Sequence, residues 1–417
     1  MNDILKTTDL PITEFLLKRI KELKKSGQPS RALLAVCPNS MSVIKAALRA
    51  SKRNNAPIMF AATLNQVDCD RGYTGFTQAD FVNYIKKECE RINLQSPVVI
   101  AIDHGGPWLK DKQKIEKWSL EKAMDGVEKS YEEALKAGYH LIHVDPTVDT
   151  TLPKGQTISI DVVAERTIKL IRHTEDFRKK NNIAPISYEV GTEEVHGGLA
   201  DEQTFDKFLK LLKDGLKEIG LPNIWPCFIV GKVGTDLNTT TFDSKVATML
   251  TKKVKPSGSL IKGHYTDWVT NPEDYPLCGM GAANVGPEFT MSEYKALMEL
   301  EDIEQQLLKK DRIAMESNIK DILWNSVIES DRWKKWLTSD EEVLSFTELS
   351  QDRQEWLIST GCRYIWQKPE VVVSRYRLYE NLEFNGYEPE EIVLSRIERD
   401  IDKYYQSFNL VNLNKYL

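Results

Sequence analysis

The chain has 417 residues, 56 of them Lys or Arg and 62 Asp or Glu; the net charge of −6 argues against a nucleic-acid-binding protein, which needs a basic surface to neutralise phosphates. The hydrophobic fraction of 41% and the charged fraction of 28% are typical of a globular protein and exclude general disorder. No apolar run approaches the roughly 20 residues that cross a bilayer, and residues 1–26 lack a signal peptide's apolar core, so we expect a cytoplasmic protein without a membrane partner.

The first predicted element is a short amphipathic helix that begins at Thr13, a residue type that caps helices, and ends at Lys25. We expect residues 1–30 to form an N-terminal capping helix that closes the bottom of the domain that follows. The alternative is a helix that lies on a membrane surface, which its short length disfavours.

Eight short apolar runs then alternate with long amphipathic stretches. The runs cover residues 32–36, 57–62, 97–102, 140–144, 185–190, 226–230, 259–263 and 281–285. Buried parallel strands are continuously apolar because helices cover both faces of the sheet, and strands that alternate with helices indicate βαβ units. The count of eight predicts an α/β fold, a TIM (β/α)8 barrel over residues 31–290. A doubly wound open sheet is the alternative.

The alternation stops near residue 290. Residues 291–310, 311–330, 345–360 and 389–409 have helical patterns, so we expect residues 291–417 to form a helical C-terminal extension. Five of the nine tryptophans lie here: Trp324, Trp333, Trp336, Trp356 and Trp366. They form either the aromatic core of the extension or an interface with another chain, where aromatic residues are enriched.

Polar residues follow most of the apolar runs, at the strand ends where barrel enzymes carry their active sites. Asp103 and His104 follow the third run, Asp145 follows the fourth, and His264 follows the seventh, while Glu189 lies within the fifth. Imidazole and carboxylate groups are suitable ligands for Zn²⁺, Mn²⁺ or Co²⁺. No local motif such as HExxH occurs, so the predicted metal site depends on the barrel bringing His104 and His264 together.

Three other features near the strand ends leave alternatives open. His143 has the same parity as Asp145 and should point into the barrel, as a structural residue or as support for the site. Lys262 is either a surface residue or a group that meets an anionic substrate. Glycine-rich segments such as 279–286 could expose backbone N–H groups to an anion, but no P-loop or GxGxxG motif supports nucleotide binding.

Several of these segments together resemble a known family, the Z-type subunit of class II tagatose-bisphosphate aldolases (GatZ/KbaZ). The matching segments occur in order between residues 30 and 290. They are residues 62–67 with 72–75, Asp103-His104-Gly105-Gly106-Pro107, Ile142-His143-Val144-Asp145, Gly191-Thr192-Glu193, Gly263-His264-Tyr265-Thr266-Asp267 and Val285-Gly286-Pro287. The resemblance implies a TIM barrel related to the class II metal-dependent aldolases, with a helical tail.

The resemblance also implies roles for individual residues. Asp103 matches the catalytic acid/base of those aldolases, and His104 and His264 match two metal ligands. The third histidine of those aldolases belongs to a Gly-Thr-x-His segment, where this chain has Gly234-Thr235-Asp236. Glu189 is our candidate for the replacement ligand or for a catalytic base on the opposite face of the substrate, and Asp145 for a catalytic group that shares this proton transfer.

The resemblance implies two possible functions, and a third is kept as a less favoured alternative. The first, which we predict, is a metal-dependent C4 epimerase that interconverts tagatose-type and fructose-type ketohexoses, as 6-phosphates, through retro-aldol and aldol steps. The alternative is a non-catalytic subunit that supports an aldolase catalytic chain, or less favourably a true aldolase. We expect a homo-oligomer and the substrate-binding residues Asn65, Gln66, Thr192, Lys262, Gly286 and Arg71, the last three for a phosphate.

Overall fold

The computed structural model describes residues 10–153, 156–191 and 202–417, and its centre is a closed barrel of parallel strands. Each strand pairs with the next, and the pairing of Leu33 with Ala282 closes the barrel between the last strand and the first. The strands are β1 (Leu33–Val36), β2 (Ile58–Thr63), β3 (Val98–Gly105), β4 (Leu141–Val144), β5 (Ser187–Val190), β6 (Phe228–Val230), β7 (Leu260–Gly263) and β8 (Ala282–Val285). The predicted TIM barrel is confirmed, and the open doubly wound sheet is wrong.

Helices surround the barrel and continue beyond it. They are α1 (Ile12–Lys25), α2 (Met41–Asn54), α3 (Gln78–Arg91), α4 (Asp111–Ile115), α5 (Leu120–Ala137), α6 (Ile160–Lys180), α7 (Glu202–Glu218), α8 (Ser244–Val254), α9 (Asp274–Leu277), α10 (Pro287–Lys309), α11 (Ile319–Glu329), α12 (Gln351–Gly361), α13 (Pro369–Phe384) and α14 (Pro389–Ser407). Short polar residues start several of them: the side chains of Ser40, Thr77 and Ser119 each accept a hydrogen bond from the backbone N–H three residues on.

The N-terminal helix α1 packs on the barrel through one apolar face, which includes Leu16, Ile20 and Leu23. Glu14 on this helix accepts a hydrogen bond of 3.3 Å from the hydroxyl of Ser187, the first residue of β5. The helix therefore meets the barrel at the end opposite to the carboxyl ends of the strands. No helix in the described part of the chain has both the length and the apolar character needed to cross a membrane.

The C-terminal helices pack on the barrel instead of forming a detached body. Helix α10 runs without a break through residue 290, where we placed the end of the barrel domain. From α2, Arg49 and Arg53 form ion pairs with Glu398 of α14. Trp333 and Trp366 belong to the buried core, and the other three tryptophans of the extension pack against that core while partly exposed.

Candidate active site

Four side chains that could hold a metal ion meet at the carboxyl ends of the strands. Asp103 and His104 come from β3, His143 comes from β4, and His264 follows β7; one potential ligand atom from each lies within 4.8 Å of all the others. Nδ1 of His264 is 2.8 Å from Nε2 of His104. The two histidines predicted to meet thus do so, although they are 160 positions apart.

An irregularity in β3 turns two successive side chains toward this point. Successive residues of a regular strand point to opposite faces, so Asp103 and His104 should diverge. The pairing of β3 with β4 shifts register between Ile102 and Gly105, and His104 has a φ of +48°, which is uncommon for a residue with a side chain. The backbone N–H of His104 donates to Nδ1 of His143 at 3.0 Å, which holds this conformation.

Two carboxylates orient the paired imidazoles, each by binding the ring nitrogen that points away from the other histidine. Oδ2 of Asp145 lies 2.6 Å from Nδ1 of His104, and the hydroxyl of Thr147 donates to the other oxygen of Asp145 at 2.6 Å. Oε1 of Glu189 lies 3.1 Å from Nε2 of His264. Each carboxylate accepts the ring N–H that faces it, so the opposite nitrogens of the two rings face each other. Carboxylates behind histidine ligands are typical of metal sites in proteins.

The facing nitrogens require a positive charge between them. Burial lowers the pKa of His104, but Asp103 and Asp145 raise it to about 9, while burial lowers the pKa of His264 to about 4. One proton therefore resides on His104 and bridges the two rings. A divalent cation satisfies the same two lone pairs, so the donor set of this site fits a metal.

A buried lysine neutralises the acidic groups beside the histidines. Lys262 is fully buried, so the alternative of a surface position is wrong; its Nζ donates to Oε2 of Glu189 at 2.7 Å and lies 3.8 Å from Oδ1 of Asp103. Burial alone would raise the pKa of Glu189, but Lys262 and the imidazoles lower it to about 2. Glu189, our candidate for the third metal ligand, is not among the four clustered side chains: its oxygens contact His264 and Lys262.

Asp103 is held ionised and fixed in orientation. Burial opposes its ionisation, but the imidazoles of His104 and His264 and the ammonium of Lys262 keep its pKa well below the usual range. The side-chain amide of Asn284 on β8 donates to Oδ2 of Asp103 at 3.0 Å. Asn284 was not among our predicted site residues, although a polar side chain in the otherwise apolar run 282–285 is a signal that could have identified it.

His143 is the other group whose place the sequence left open. Its side chain is buried; Nδ1 accepts from the His104 backbone and lies 3.4 Å from Oδ1 of Asp103, and the other ring nitrogen is Nε2. That nitrogen has no hydrogen-bond partner among the described residues. A Cβ added at Gly191 would lie 2.8 Å from Oδ1 of Asp145 and 3.4 Å from Nε2 of His143, so a side chain at this position would crowd both groups.

The predicted substrate-binding residues lie in several different environments. Asn65 donates to Leu109 O at 3.0 Å and accepts from the Asp111 N–H at 2.9 Å, which ties two loops together. Gln66 accepts from the Thr63 N–H and donates to Asn39, each at 2.7 Å. Arg71 is an exposed side chain 3.1 Å from Asp80. The N–H of Gly286 donates to Asp267, and Thr192 lies outside the described residues.

A closed (β/α)8 barrel with converging imidazole and carboxylate groups at its mouth defines a TIM-barrel protein with a candidate divalent-metal site. More specifically, the chain belongs to the family described as D-tagatose-1,6-bisphosphate aldolase subunit GatZ/KbaZ-like, which matches residues 17–408. The family resemblance drawn from the motifs is therefore confirmed.

Solved structures support the same fold. A protein of Sinorhizobium meliloti 1021 described as a probable tagatose 6 phosphate kinase is 20% identical and superposes with a TM-score of 0.72, over 90% of this chain and 100% of that chain. The fructose-bisphosphate aldolase of Campylobacter jejuni is 12% identical, with a TM-score of 0.51 over 96% of this chain and 95% of that one. At such identities the likeness establishes the fold alone.

Proposed function

We propose that this chain is a metal-dependent C4 epimerase that interconverts tagatose-type and fructose-type ketohexoses, as their 6-phosphates. Its family is named for an aldolase of a tagatose phosphate, which supports a sugar of this class as the substrate. The observation that carries the proposal is the 2.8 Å approach of His104 Nε2 and His264 Nδ1 beside the ionised Asp103. A metal site next to a carboxylate base is the equipment that this chemistry needs.

The reaction follows from the position of the C4 hydroxyl. The hydrogen on C4 is not adjacent to the C2 carbonyl, so its removal as a proton would not be stabilised. The C4 hydroxyl, in contrast, is β to the carbonyl. Removal of its proton allows the C3–C4 bond to break, which leaves an enediolate and an aldehyde. If the aldehyde rotates and the enediolate adds to its other face, the bond re-forms with C4 inverted and no atom is lost.

His104 and His264 would hold the cation, with Asp103 or His143 as further ligands, and Zn²⁺, Mn²⁺ and Co²⁺ all suit this donor set. The bound cation would act as a Lewis acid toward the sugar's carbonyl oxygen and stabilise the charge that develops when the C3–C4 bond breaks. Asp145 and Glu189 position the two imidazoles through the hydrogen bonds described above.

The carboxylates and Lys262 would carry the protons. Asp103 is ionised, so it can accept the proton of the C4 hydroxyl, and Asn284 fixes its orientation. Inversion requires proton exchange on both faces of the aldehyde. Glu189, joined to Asp103 through Lys262, is our candidate for the second face, and such proton transfers contribute roughly 10²–10⁴-fold to a rate.

A second candidate function is a non-catalytic subunit of a tagatose-bisphosphate aldolase, and the family's description as an aldolase subunit is the observation that supports it. In that case the partner is a separate catalytic aldolase chain, and the clustered side chains have only a structural role. The two candidates differ in what the purified chain does alone, so they can be separated directly.

The test is to incubate the purified protein with fructose 6-phosphate and Mn²⁺ or Zn²⁺. Formation of tagatose 6-phosphate supports the epimerase, and formation of a triose phosphate indicates an aldolase. No turnover, together with stabilisation of an added aldolase chain, indicates the subunit. The variant His104→Ala should abolish turnover. The matched control His173→Ala, on α6 beside Glu128 and Glu132, should retain it.

A further inference from the structure

Arg363 of the C-terminal extension is a buried arginine that forms no ion pair with any described residue. It lies in the 3-10 turn Cys362–Tyr364 and is only 4% exposed. Its Nη1 donates to the carbonyl of Thr360 at 2.5 Å, and the guanidinium lies 5.0 Å from the ring of Trp336 and 4.5 Å from that of Tyr364. Among the described residues, no carboxylate oxygen lies within 4.0 Å of this group.

This lack of a partner sets Arg363 apart from its neighbours, because buried charges in proteins are normally paired. Four other arginines of the extension form ion pairs: Arg332 with Asp111, Arg353 with Glu341, Arg375 with Glu293 and Arg396 with Glu299. In contrast, the guanidinium of Arg363 donates one hydrogen bond, to the carbonyl of Thr360, and its remaining N–H groups can donate to another acceptor.

The turn that carries Arg363 lies over the mouth of the barrel. Tyr364 packs edge-on against Tyr73 at 5.3 Å, and the hydroxyl of Tyr73 donates to Asn39, just after β1, at 3.0 Å. The positive charge of Arg363 also acts on Cys37 after β1 and on Asp267 after β7, where it opposes the effect of burial on their pKa values. Arg363 is therefore close to the carboxyl ends of β1 and β7.

This is the region where TIM barrels commonly bind phosphate, with help from the backbone at a helix N-terminus. In this chain the carboxyl group of Asp267 already occupies that terminus. Oδ1 of Asp267 accepts from the N–H groups of Gly286 and Glu288, at 2.9 and 2.8 Å, at the start of α10. The backbone donor that we predicted for a phosphate is thus engaged, which leaves the guanidinium of Arg363 as the group suited to an anion there.

We propose that Arg363 binds the terminal oxyanion of the sugar substrate, so that the C-terminal extension completes the active site of the barrel. This oxyanion is a phosphate or a carboxylate group, and a planar guanidinium binds either one through two parallel hydrogen bonds. The proposal rests on the proposed function only for the identity of the sugar.

The experiment measures binding separately from turnover. Calorimetry gives the Kd of fructose 6-phosphate, inorganic phosphate, a ketohexuronate and neutral fructose for the full-length wild type and for Arg363→Met. Loss of a charge-assisted contact should raise the Kd of the anionic ligand by about tenfold to a hundredfold and leave that of fructose unchanged. Arg363→Lys should lie in between, since it keeps the charge but loses the bidentate geometry.

The matched control is Arg353→Met, which removes a guanidinium that lies 4.6 Å from the ring of Trp356 but is paired with Glu341. It should not change the Kd of any ligand. Weakened binding of the phosphates in Arg363→Met identifies a phosphate as the oxyanion, and weakened binding of the hexuronate alone identifies a carboxylate. An equal change for fructose, or no change for any anion, overturns the proposal.

The same experiments distinguish a failure of the proposed epimerase function from a failure of the oxyanion site. If the wild type turns over no sugar but Arg363→Met still loses anion binding, the epimerase is wrong and the oxyanion site stands. If Arg363→Met does not fold, amide hydrogen exchange of the wild-type protein tests the proposal instead. Fructose 6-phosphate, but not fructose, should protect the backbone of residues 356–368, and an absence of such protection contradicts the proposal.

Discussion

Nδ1 of His264 faces Nε2 of His104 at 2.8 Å, and each ring is held from its other nitrogen by a buried carboxylate. Because Asp145 and Glu189 accept the outer N–H groups, a proton or a metal cation must lie between the inner nitrogens. The pKa of His104 is raised to about 9 because the nearby carboxylates stabilise a positive charge on its ring. The two carboxylates therefore determine how strongly the histidines attract a cation, although neither carboxylate is among the four clustered side chains.

The first prediction concerns Asp145→Asn. An amide in this position no longer carries the charge that holds the outer N–H of His104, so the ring is less basic and less well oriented. We expect metal affinity to fall by about tenfold to a hundredfold, as is usual when a group behind a histidine ligand is changed. Competition with a fluorescent chelator for Zn²⁺ or Mn²⁺ measures the effect. His173→Ala should bind metal like the wild type, and an unchanged affinity in Asp145→Asn would show that the carboxylate has no such role.

The barrel and the histidine pair could both be predicted from the sequence, because both follow from the arrangement of parallel strands covered by helices. Strands covered by helices on the outside must be apolar along their whole length, so the eight runs were visible as such. Residues that follow parallel strands lie at one end of the barrel, which placed His104 and His264 on the same rim.

Other parts of the site depend on local backbone and side-chain geometry, which the spacing of apolar residues along the sequence does not reveal. The register shift after Ile102 turns both Asp103 and His104 inward, and it leaves no trace in the apolar pattern. Strand parity placed His143 inside the barrel but could not tell whether its ring would reach the cluster. Similarly, the position of Asn65 at a strand end did not reveal that both ends of its amide are engaged by a neighbouring loop.

The second prediction concerns the stability of the buried charges. Lys262 is the cation that neutralises Glu189 and Asp103, and all three side chains are buried. Replacement by Met leaves the carboxylates without this partner. We expect Lys262→Met to reduce the free energy of unfolding by about 3–5 kcal/mol, measured by urea denaturation.

Two further variants test the cause of that loss. In Lys262→Met/Glu189→Gln the stranded charge of Glu189 is removed as well, so part of the stability should return. Lys253→Met removes a lysine whose partners Glu202 and Asp206 are exposed, and it should cost about 0–1 kcal/mol. If Lys262→Met were no more costly than Lys253→Met, the buried lysine would not be needed to balance the acidic groups.

The third prediction is a pH dependence that originates at Asp267. Burial raises the pKa of this carboxyl from 3.8 to about 7 in the folded protein. Between these two values the folded chain keeps a proton that the unfolded chain has released, so rising pH favours unfolding. The wild type should lose stability from this group by about 1.4 kcal/mol per pH unit between about pH 4 and pH 7, and no more above that range.

The variant Asp267→Asn isolates this contribution from all other titrating groups. Its amide oxygen can still accept from the N–H groups of Gly286 and Glu288, because both bonds end on the same oxygen of the native side chain. The variant has no proton to lose, so its stability relative to the wild type should increase with pH up to about 7 and then level off. Denaturation curves of both proteins at pH 4 to 8 measure the difference. A difference that stays constant over this range would show that Asp267 is ionised throughout, held so by Arg363 and the N-terminus of α10.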